Sequence, residues 1–370
     1  MSQKNQFLKK SLQSAAVIGG SLAYLYFQNY QLGKTHYLVE SPRYAGGLEG
    51  VKIAHLSDLN FPDQRVKVVN ILKAVKEEEV DLIAITGNLI HPEKAFDRQE
   101  LAVFIKQLVN LAPVFYVSGS NEVKSPYSHL MEELLRQAGV RVLHDQAETI
   151  TLHGQDLVVM GLAEKPGRHF LKGDALRYLP LEADQLALPK ILLAHHPEAF
   201  LRYHESIEKS PDLVLAGHAQ GGQIRIPGLG GLYASDQGHL PQYTEGVFRL
   251  PGDQYKCLVI SRGIGVPKWH VRFNNQAELV VVQLTASKEA FLERKLAETD
   301  REIAAYGGLS WKQAKAILNN EVDEQLAAQT AQADLVPAES AREAETLAIT
   351  GPDQDQSTKY LSIKEESDEV

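Results

Sequence analysis

Five short segments of the sequence carry residue types that could bind a divalent cation. They are Asp58-Leu59-Asn60, Gly87-Asn88, Gly119-Ser120-Asn121-Glu122, His195-His196-Pro197 and residues 217–223, which read GHAQGGQ. Carboxylate oxygens and imidazole nitrogens are common ligands of zinc and related metals. Asp58, His195 and His218 supply both atom types, so these three residues are a candidate site for one transition metal such as zinc.

Each segment follows a short apolar run that predicts a β-strand. The runs lie at 51–56, 81–85, 114–117, 191–193 and 212–215. Helical spacing of apolar residues predicts helices at 66–75, 101–111 and 130–135. Alternating strands and helices are typical of a buried parallel sheet, where ligand sites lie at the carboxyl ends of strands. The five polar segments therefore stand where a ligand site would lie in such a sheet.

The second half of the chain changes to shorter strands separated by Gly, Pro and Asp turns. These strands are predicted at 149–152, 157–161, 223–226, 258–261 and 279–284. Together with the first half they indicate an α/β fold of two sheets packed face to face with helices outside.

The five segments, in this order, resemble those of calcineurin-like metallophosphoesterases, especially the membrane-associated branch whose last motif reads GHTHGGQ. The resemblance covers about 50–284 and continues through Ser261-Arg262-Gly263-Ile264-Gly265 and residues 271–275. It implies a four-layer αββα sandwich of two mixed sheets. It also implies two divalent cations that polarise phosphoryl oxygens and generate a hydroxide nucleophile.

When each metal-ligand position of the family is compared with this sequence, the resemblance implies a degenerate metal site, in which several ligands have been substituted. Asp58, His195 and His218 match family ligands, which implies that these three residues face one pocket. Four ligand positions are substituted: Asn60 and Gln220 stand for His, Asn88 for the bridging Asp, and Ser120 for Asn. Asn121 occupies the position of the family's catalytic His.

Electrostatics argue against a two-metal centre, because Asp58 is the only carboxylate of the set that would offset four positive charges, and a neutral amide at Asn88 is a poor bridge. We expect no metal or one divalent metal, Zn, Mn or Fe. His91 and His196 are candidate substitute ligands. Strand alternation predicts that His195 and His196 do not both point inward.

Two function classes follow for this sequence. The first is a membrane-anchored, ligand-binding or regulatory pseudoenzyme that holds a phosphate-bearing or lipid-derived small ligand. The second is an active phosphohydrolase or phosphodiesterase that uses one metal or non-standard ligands. A spacer that only presents the acidic tail is a third alternative. Specificity would lie in the loops at 164–183 and 233–244, and no protein partner can be named.

The N-terminus predicts a transmembrane signal anchor at 12–32, after a cytoplasmic segment 1–11 that contains three lysines. A helix of that length would just span a bilayer. A cleaved signal peptide is the alternative, but no small-residue cleavage site follows. Residues 33–49 are predicted to be a linker. The lysines indicate a single-pass protein of the cell membrane with an extracytoplasmic globular domain.

Residues 285–370 carry 18 acidic and 9 basic side chains, which account for the whole net charge of −9. We predict a charged helical extension at 285–333, with helices at 288–305 and 310–328, and a disordered acidic tail at 334–370. The single cysteine, Cys257, excludes an internal disulfide and is predicted to be buried. The sequence has no basic stripe with interleaved aromatic residues, which argues against a nucleic-acid partner.

Overall fold

The computed structural model describes residues 3–166, 174–265 and 271–305, and it contains two six-stranded sheets. The first sheet has strands β1 (Gly33–Glu40), β2 (Lys52–Leu56), β3 (Leu82–Thr86), β4 (Val114–Val117), β5 (Arg141–Val142) and β16 (Glu278–Thr285). Their order across the sheet is β1, β16, β2, β3, β4, β5. Strands β2 to β5 are parallel, whereas β16 is antiparallel to β2 and parallel to β1.

The second sheet has strands β6 (Gln146–Leu152), β7 (Gln155–Gly161), β8 (Lys190–Leu193), β9 (Leu213–Ala216), β14 (Gly246–Leu250) and β15 (Asp253–Ile260). Their order is β14, β15, β9, β8, β7, β6, with β7, β8, β9 and β15 parallel. Two short hairpins follow β9, namely β10 (Arg225–Ile226) with β11 (Gly230–Gly231), and β12 (Tyr233–Ala234) with β13 (Gly238–His239).

The helices are α1 (Gln3–Tyr30), α2 (Val68–Glu78), α3 (Arg98–Val109), α4 (Ser120–Lys124), α5 (Ser128–Ala138) and α6 (Lys288–Ala305). Short 3-10 helices lie at Pro42–Tyr44, Gly46–Leu48, Pro197–His204 and Gln220–Gly222. Helix α3 begins where Asp97 caps the backbone N–H groups of Gln99 and Glu100. Helix α5 ends at Gly139, whose positive φ of 96° suits glycine.

Three apolar clusters define the layers. The cluster between the two sheets contains Ile53 and Phe115 from the first and Ile191 and Val259 from the second. A second cluster lies between the first sheet and helices α2, α3 and α5. A third covers the outer face of the second sheet with the 3-10 helix Pro197–His204 and neighbouring loop residues. The predicted α/β fold with two mixed sheets is confirmed, and among the described residues the fourth layer is 3-10 and irregular.

The central strands read as continuous Val, Ile and Leu runs because both of their faces are buried. Every residue of β3, β4, β8 and β9 is buried. Cys257 is also buried between the sheets, as predicted, and burial raises the pKa of its thiol to about 12.

The predicted linker at 33–49 is wrong, because Gly33–Glu40 is the edge strand β1. All eight of its residues pair in register with β16. Strand β1 has a mixed burial pattern, so its sequence shows neither the continuous apolar run of the central strands nor a regular alternation of buried and exposed residues. The signal that was missed is the partner strand itself, which lies more than two hundred residues later.

Within the described residues, none of the helices has both the length and the apolar character to cross a membrane. Helix α1 overlaps the predicted span. Two polar residues of that span, Gln28 and Asn29, are buried against the domain. The transmembrane anchor predicted at 12–32 is therefore not supported.

The chain divides into two compact units, residues 1–291 and 292–370. Helix α6 occupies the residues predicted for the first helix of the extension. The second predicted helix at 310–328 and the tail at 334–370 lie outside the described residues.

Candidate functional site

The five polar segments lie beyond the carboxyl ends of β2, β3, β4, β8 and β9, where the two sheets meet. Several of their residues have a left-handed backbone: φ is 52° at Asp58, 57° at Asn60, 50° at Asn88, 63° at His218 and 47° at Gln220. Such conformations are uncommon outside glycine, and Asn and Asp tolerate them best. Their concentration here marks these turns as a specialised site.

Asp58 is fully buried, and both of its oxygens accept hydrogen bonds from the protein. Oδ1 accepts from Asn88 Nδ2 at 2.8 Å and from Gln220 Nε2 at 3.4 Å. Oδ2 accepts from the Ser57 hydroxyl at 2.7 Å and from the backbone N–H of His218 at 3.0 Å. The absence of a side chain at Gly217 allows this approach, since a Cβ there would lie 2.6 Å from Oδ2.

The substituted positions hydrogen-bond to one another. Asn121 Nδ2 donates to Asn60 Oδ1 at 2.7 Å, and the backbone N–H of Asn121 donates to Asn88 Oδ1 at 2.8 Å. The Ser120 hydroxyl reaches the same oxygen at 3.4 Å. These side chains therefore form one polar network with Asp58, in which buried amides have partners without a cation.

Glu122 fixes the loops that carry this network. Its buried carboxylate accepts backbone N–H groups from Asn88 at 2.8 Å, Ile90 at 3.1 Å and Gly119 at 2.7 Å. Burial raises the pKa of Glu122 to about 7, although those three N–H groups act to lower it. Glu122 is a positioning residue that joins the turn after β3 to the turn after β4.

His195 and His218 form a directional hydrogen-bond chain. His195 Nδ1 lies 2.8 Å from the carbonyl oxygen of Thr86, so this nitrogen carries the proton and donates. His195 Nε2 must then accept, and it lies 3.1 Å from His218 Nδ1, which donates. Burial, and then the neighbouring His218, lower the pKa of His195 to about 4. His218 Nε2 points to the other side, 2.8 Å from Asp236 Oδ2.

His196 also faces the cluster, which corrects the expectation from strand alternation. Strand β8 ends at Leu193, so alternation does not govern the loop beyond it. The His196 ring lies 4.2 Å from that of His218 and 5.3 Å from that of His195, centroid to centroid. His91 does not join them. Its Nδ1 accepts backbone N–H groups of the following loop, and its Nε2 lies 3.8 Å from Asp63.

Two carboxylates flank His196. Glu164 Oε2 lies 2.9 Å from its Nε2, and Glu198 Oε1 lies 2.9 Å from its Nδ1. Burial acts to lower the pKa of His196, but the hydrogen bonds and charges of the two carboxylates raise it to about 9. His196, Glu198, His218 and Asp236 form a group whose potential ligand atoms all lie within 4.8 Å of one another.

Sequence reasoning missed Glu164, Glu198 and Asp236 as site residues. Glu164 and Asp236 belong to the two loops that were assigned to specificity, and Glu198 follows His196 by two residues. Glu164 follows the end of β7 by three residues, so the strand-end rule could have found it. Asp236 carries no such signal, because it lies in the turn of the β12–β13 hairpin.

The residues present do not fit the two-metal centre that the resemblance implies. Asp58 already accepts from four protein donors, and Asn60 and Asn88 are paired within the network. His195 Nε2 and His218 Nδ1 face each other, while the Asp58 oxygens engage other groups. In this structure most polar side chains of the five segments thus serve as hydrogen-bond partners of one another.

Comparison with known proteins agrees with this arrangement of strands and turns. Residues 51–221 match the calcineurin-like phosphoesterase family, and that range contains Asp58, His195 and His218. Residues 51–221 therefore form a calcineurin-like phosphoesterase domain.

Among its relatives is the uncharacterized metallophosphoesterase YkuE of Bacillus subtilis, 24% identical over 77% of this chain and 98% of the relative. Another is the phosphodiesterase YaeI of Escherichia coli, 27% identical over 63% of this chain and 82% of the relative. A dimetal phosphatase from Danio rerio aligns with a TM-score of 0.33 at 13% identity, covering 64% of this chain and 99% of that one.

Proposed function

We propose that this chain is a family member in which phosphoester hydrolysis is lost or strongly impaired, and that it acts as a ligand-binding or regulatory protein. The observation that carries the proposal is the 2.8 Å hydrogen bond from Asn88 Nδ2 to Asp58 Oδ1. At the position where the family resemblance implies a bridging carboxylate, an amide N–H is directed at the one remaining carboxylate. N–H donors take the role that cations would have there.

The residue at the catalytic position supports the same proposal. Asn121 has an amide that neither gains nor loses a proton near neutral pH, so it cannot act as a general acid. Its Nδ2 is also engaged by Asn60 Oδ1 and by the carbonyl oxygen of Ile90.

The ligand that we propose is a phosphate-bearing or lipid-derived small molecule, bound at the rim of the site. Ser120 and Gln220 are half-buried there and offer a hydroxyl and an amide. The cavity of about 20 Å³ beside His195 and His196 is large enough for one water molecule only. Titration with inorganic phosphate and with short-chain phosphatidic acid tests this part, and Ser120→Ala with Gln220→Ala should weaken any binding at least tenfold.

An active phosphohydrolase with one metal or non-standard ligands is the second candidate. The histidine and carboxylate cluster around His218 supports it, because such groups bind divalent metals. One relative is named a phosphodiesterase, which makes a phosphodiester the appropriate test substrate.

The deciding experiment measures hydrolysis of bis-p-nitrophenyl phosphate by the full chain with Mn²⁺ or Zn²⁺, beside a variant that restores the family residues. That variant carries Asn60→His, Asn88→Asp, Ser120→Asn, Asn121→His and Gln220→His. We expect an inert wild-type chain and a restored variant that binds two metals by plasma mass spectrometry. Hydrolysis by the wild-type chain above the metal-only rate would refute the proposal and establish the second candidate.

We also propose that helix α1 attaches the chain to the cell membrane, with the globular domain on the extracytoplasmic side. Apolar side chains on α1 are exposed, including Val17, Ile18 and Leu22 at 60–68%. Carbonate extraction of membranes separates a spanning helix, which stays, from a surface-bound one, which is released. Phosphatase fusions after residue 305 report the side of the membrane, and a chain found only in the soluble fraction would contradict the proposal.

A further inference from the structure

We propose that one zinc ion binds on the side of His218 that faces away from the family's metal position, with His196, Glu198, His218 and Asp236 as its ligands. Their potential ligand atoms lie within 4.8 Å of one another. Tetrahedral zinc needs its ligand atoms about 3.4 Å apart, given bonds of about 2.0–2.2 Å. Shifts of about 1 Å in these side chains would close the site. This inference goes beyond the proposed function, since neither ligand binding nor loss of hydrolysis requires it.

The hydrogen-bond chain through His195 directs His218 outward. The Thr86 carbonyl fixes the proton on His195 Nδ1, so His218 Nδ1 must donate to His195 Nε2. In neutral His218 the lone pair is then on Nε2, 2.8 Å from the Asp236 carboxylate. A lone pair and a carboxylate oxygen repel each other at that distance unless a cation, either a proton or a metal, lies between them.

Glu164 gives His196 the support that metal-bound histidines usually have. A ligating imidazole generally donates its second N–H to a carboxylate or a carbonyl oxygen. His196 Nε2 lies 2.9 Å from Glu164 Oε2, which leaves Nδ1 directed at Glu198. Glu164 thus orients the ring with Nδ1 toward Glu198, and Nδ1 is the nitrogen that would bind the metal in place of a proton.

Glu198 provides an independent sign of an unmet partner. Its side chain is only 9% exposed, and among the described residues no group hydrogen-bonds to its buried Oε2. A buried carboxylate oxygen without a donor is costly. A cation beside Oε1 and Oε2 would remove that cost.

Charge also favours one dication here over two at the family position. Glu198 and Asp236 together offset the charge of one Zn²⁺, whereas Asp58 is the single carboxylate of the family set. The side chains of His196, His218 and Asp236 are 4%, 4% and 18% exposed, so the site excludes most water. Four protein ligands would leave no open position for a nucleophilic water, which is the arrangement of structural zinc sites.

The test is a zinc titration of the full chain after chelator removal, followed by zinc content and by the zinc-dependent rise in Tm. We expect one zinc per chain. Glu198→Gln and Asp236→Asn should each weaken binding at least tenfold. Glu205→Gln, an exposed carboxylate at the end of the same 3-10 segment, is the matched control and should bind as wild type.

Ser120→Ala separates this site from the family position. It removes a hydroxyl from a family ligand position and should leave zinc affinity unchanged. Cobalt substitution adds a spectroscopic readout, because four-coordinate Co²⁺ absorbs visible light far more strongly than six-coordinate Co²⁺. The proposal is overturned if wild type binds no zinc at micromolar concentration, if Ser120→Ala weakens binding as much as Asp236→Asn, or if Glu198→Gln and Asp236→Asn bind normally.

Melting curves in chelator show whether each variant is folded before metal is added. Asp236 lies in a hairpin turn and is partly exposed, so Asp236→Asn keeps the test decisive even if a more buried variant does not fold. Zinc binding without ester hydrolysis supports both proposals. Zinc binding with hydrolysis would retain the site and refute the proposed loss of activity.

Discussion

At the residue scale, the contact between Asn88 and Asp58 decides what the pocket can contain. A carboxylate at position 88 would place two negative charges within hydrogen-bond distance, because Nδ2 of Asn88 now lies 2.8 Å from Asp58 Oδ1. Two such carboxylates cannot both ionise unless a cation joins them.

Asn88→Asp should therefore lower the free energy of unfolding by about 3 kcal/mol at pH 8 in chelator, the cost typical of an uncompensated buried charge. The loss should shrink as pH falls, because protonation of one carboxyl restores a hydrogen bond. Urea unfolding at pH 8 and pH 5 measures both values. Asn70→Asp, on the exposed first turn of α2, is the control. An equal loss at both pH values would contradict the interpretation.

His55 makes the fold sensitive to acid. It is fully buried in β2, and burial lowers its pKa to about 3, although the charge of Asp58 acts to raise it. A histidine whose pKa is lower in the folded than in the unfolded chain stabilises the folded state. This stabilisation is complete above the unfolded pKa of about 6.5 and is lost as pH falls from there toward 3.

Between pH 6 and 4, the free energy of unfolding should change less steeply with pH when His55 is replaced by Asn. The expected reduction in slope is about 1.4 kcal/mol per pH unit. Chemical denaturation across that range gives the slope for wild type and variant. His129→Gln, which removes an exposed histidine of α5, should leave the slope unchanged. If both variants keep the wild-type slope, His55 does not titrate as argued.

At the element scale, Glu122 joins two loops that belong to different strands. Its carboxylate holds the N–H groups of Asn88, Ile90 and Gly119. An amide in its place would turn an NH₂ group toward at least one of these donors.

Glu122→Gln should cost about 2 kcal/mol of stability at pH 8, where the carboxylate is charged. Hydrogen exchange at Asn88, Ile90 and Gly119 should accelerate more than exchange in β7 or β8. Glu133→Gln on the exposed face of α5 is the matched control. Uniform acceleration across both sheets would show that Glu122 supports global stability and not these loops.

The sequence predicted the elements that carry local signals and missed those that depend on distant partners. Apolar runs before Asp58, Asn88 and His195 located β2, β3 and β8 to within one or two residues. Strand β1 was taken for a linker because its assignment depends on β16, far along the chain. His196 was misplaced because strand alternation was applied past the end of β8. Asp236 enters the site through a hairpin turn whose position no local pattern gives.

At the scale of the whole molecule, β1 shows where the domain begins. Its Val39 is buried and its Tyr37 packs against the core between the sheets. Burial raises the pKa of Tyr37 to about 12. The sequence-based boundary at residue 50 would remove this strand from the first sheet.

A chain without residues 1–40 lacks the packed side chains of Tyr37 and Val39, and its free energy of unfolding should fall by about 4 kcal/mol. The estimate takes about 1.5–3 kcal/mol for each large apolar side chain whose burial is lost. That corresponds to a fall in Tm of about 10 °C for a domain of this size. A chain without residues 1–20 keeps β1 and should have the same Tm as the full chain. Calorimetry compares the three, and equal melting temperatures would show that β1 contributes little.

The position of β16 between β1 and β2 affects when the domain can close during synthesis. Strands β1 and β2 are made first, yet each of them pairs with β16, which lies between them in the sheet and ends at Thr285. Most of the domain must therefore leave the ribosome before its first sheet is complete. Residues 286–370 take roughly 4–17 s to translate at about 5–20 residues per second. The acidic C-terminal segment thus gives the last strand time to insert while the chain is still held at the ribosome.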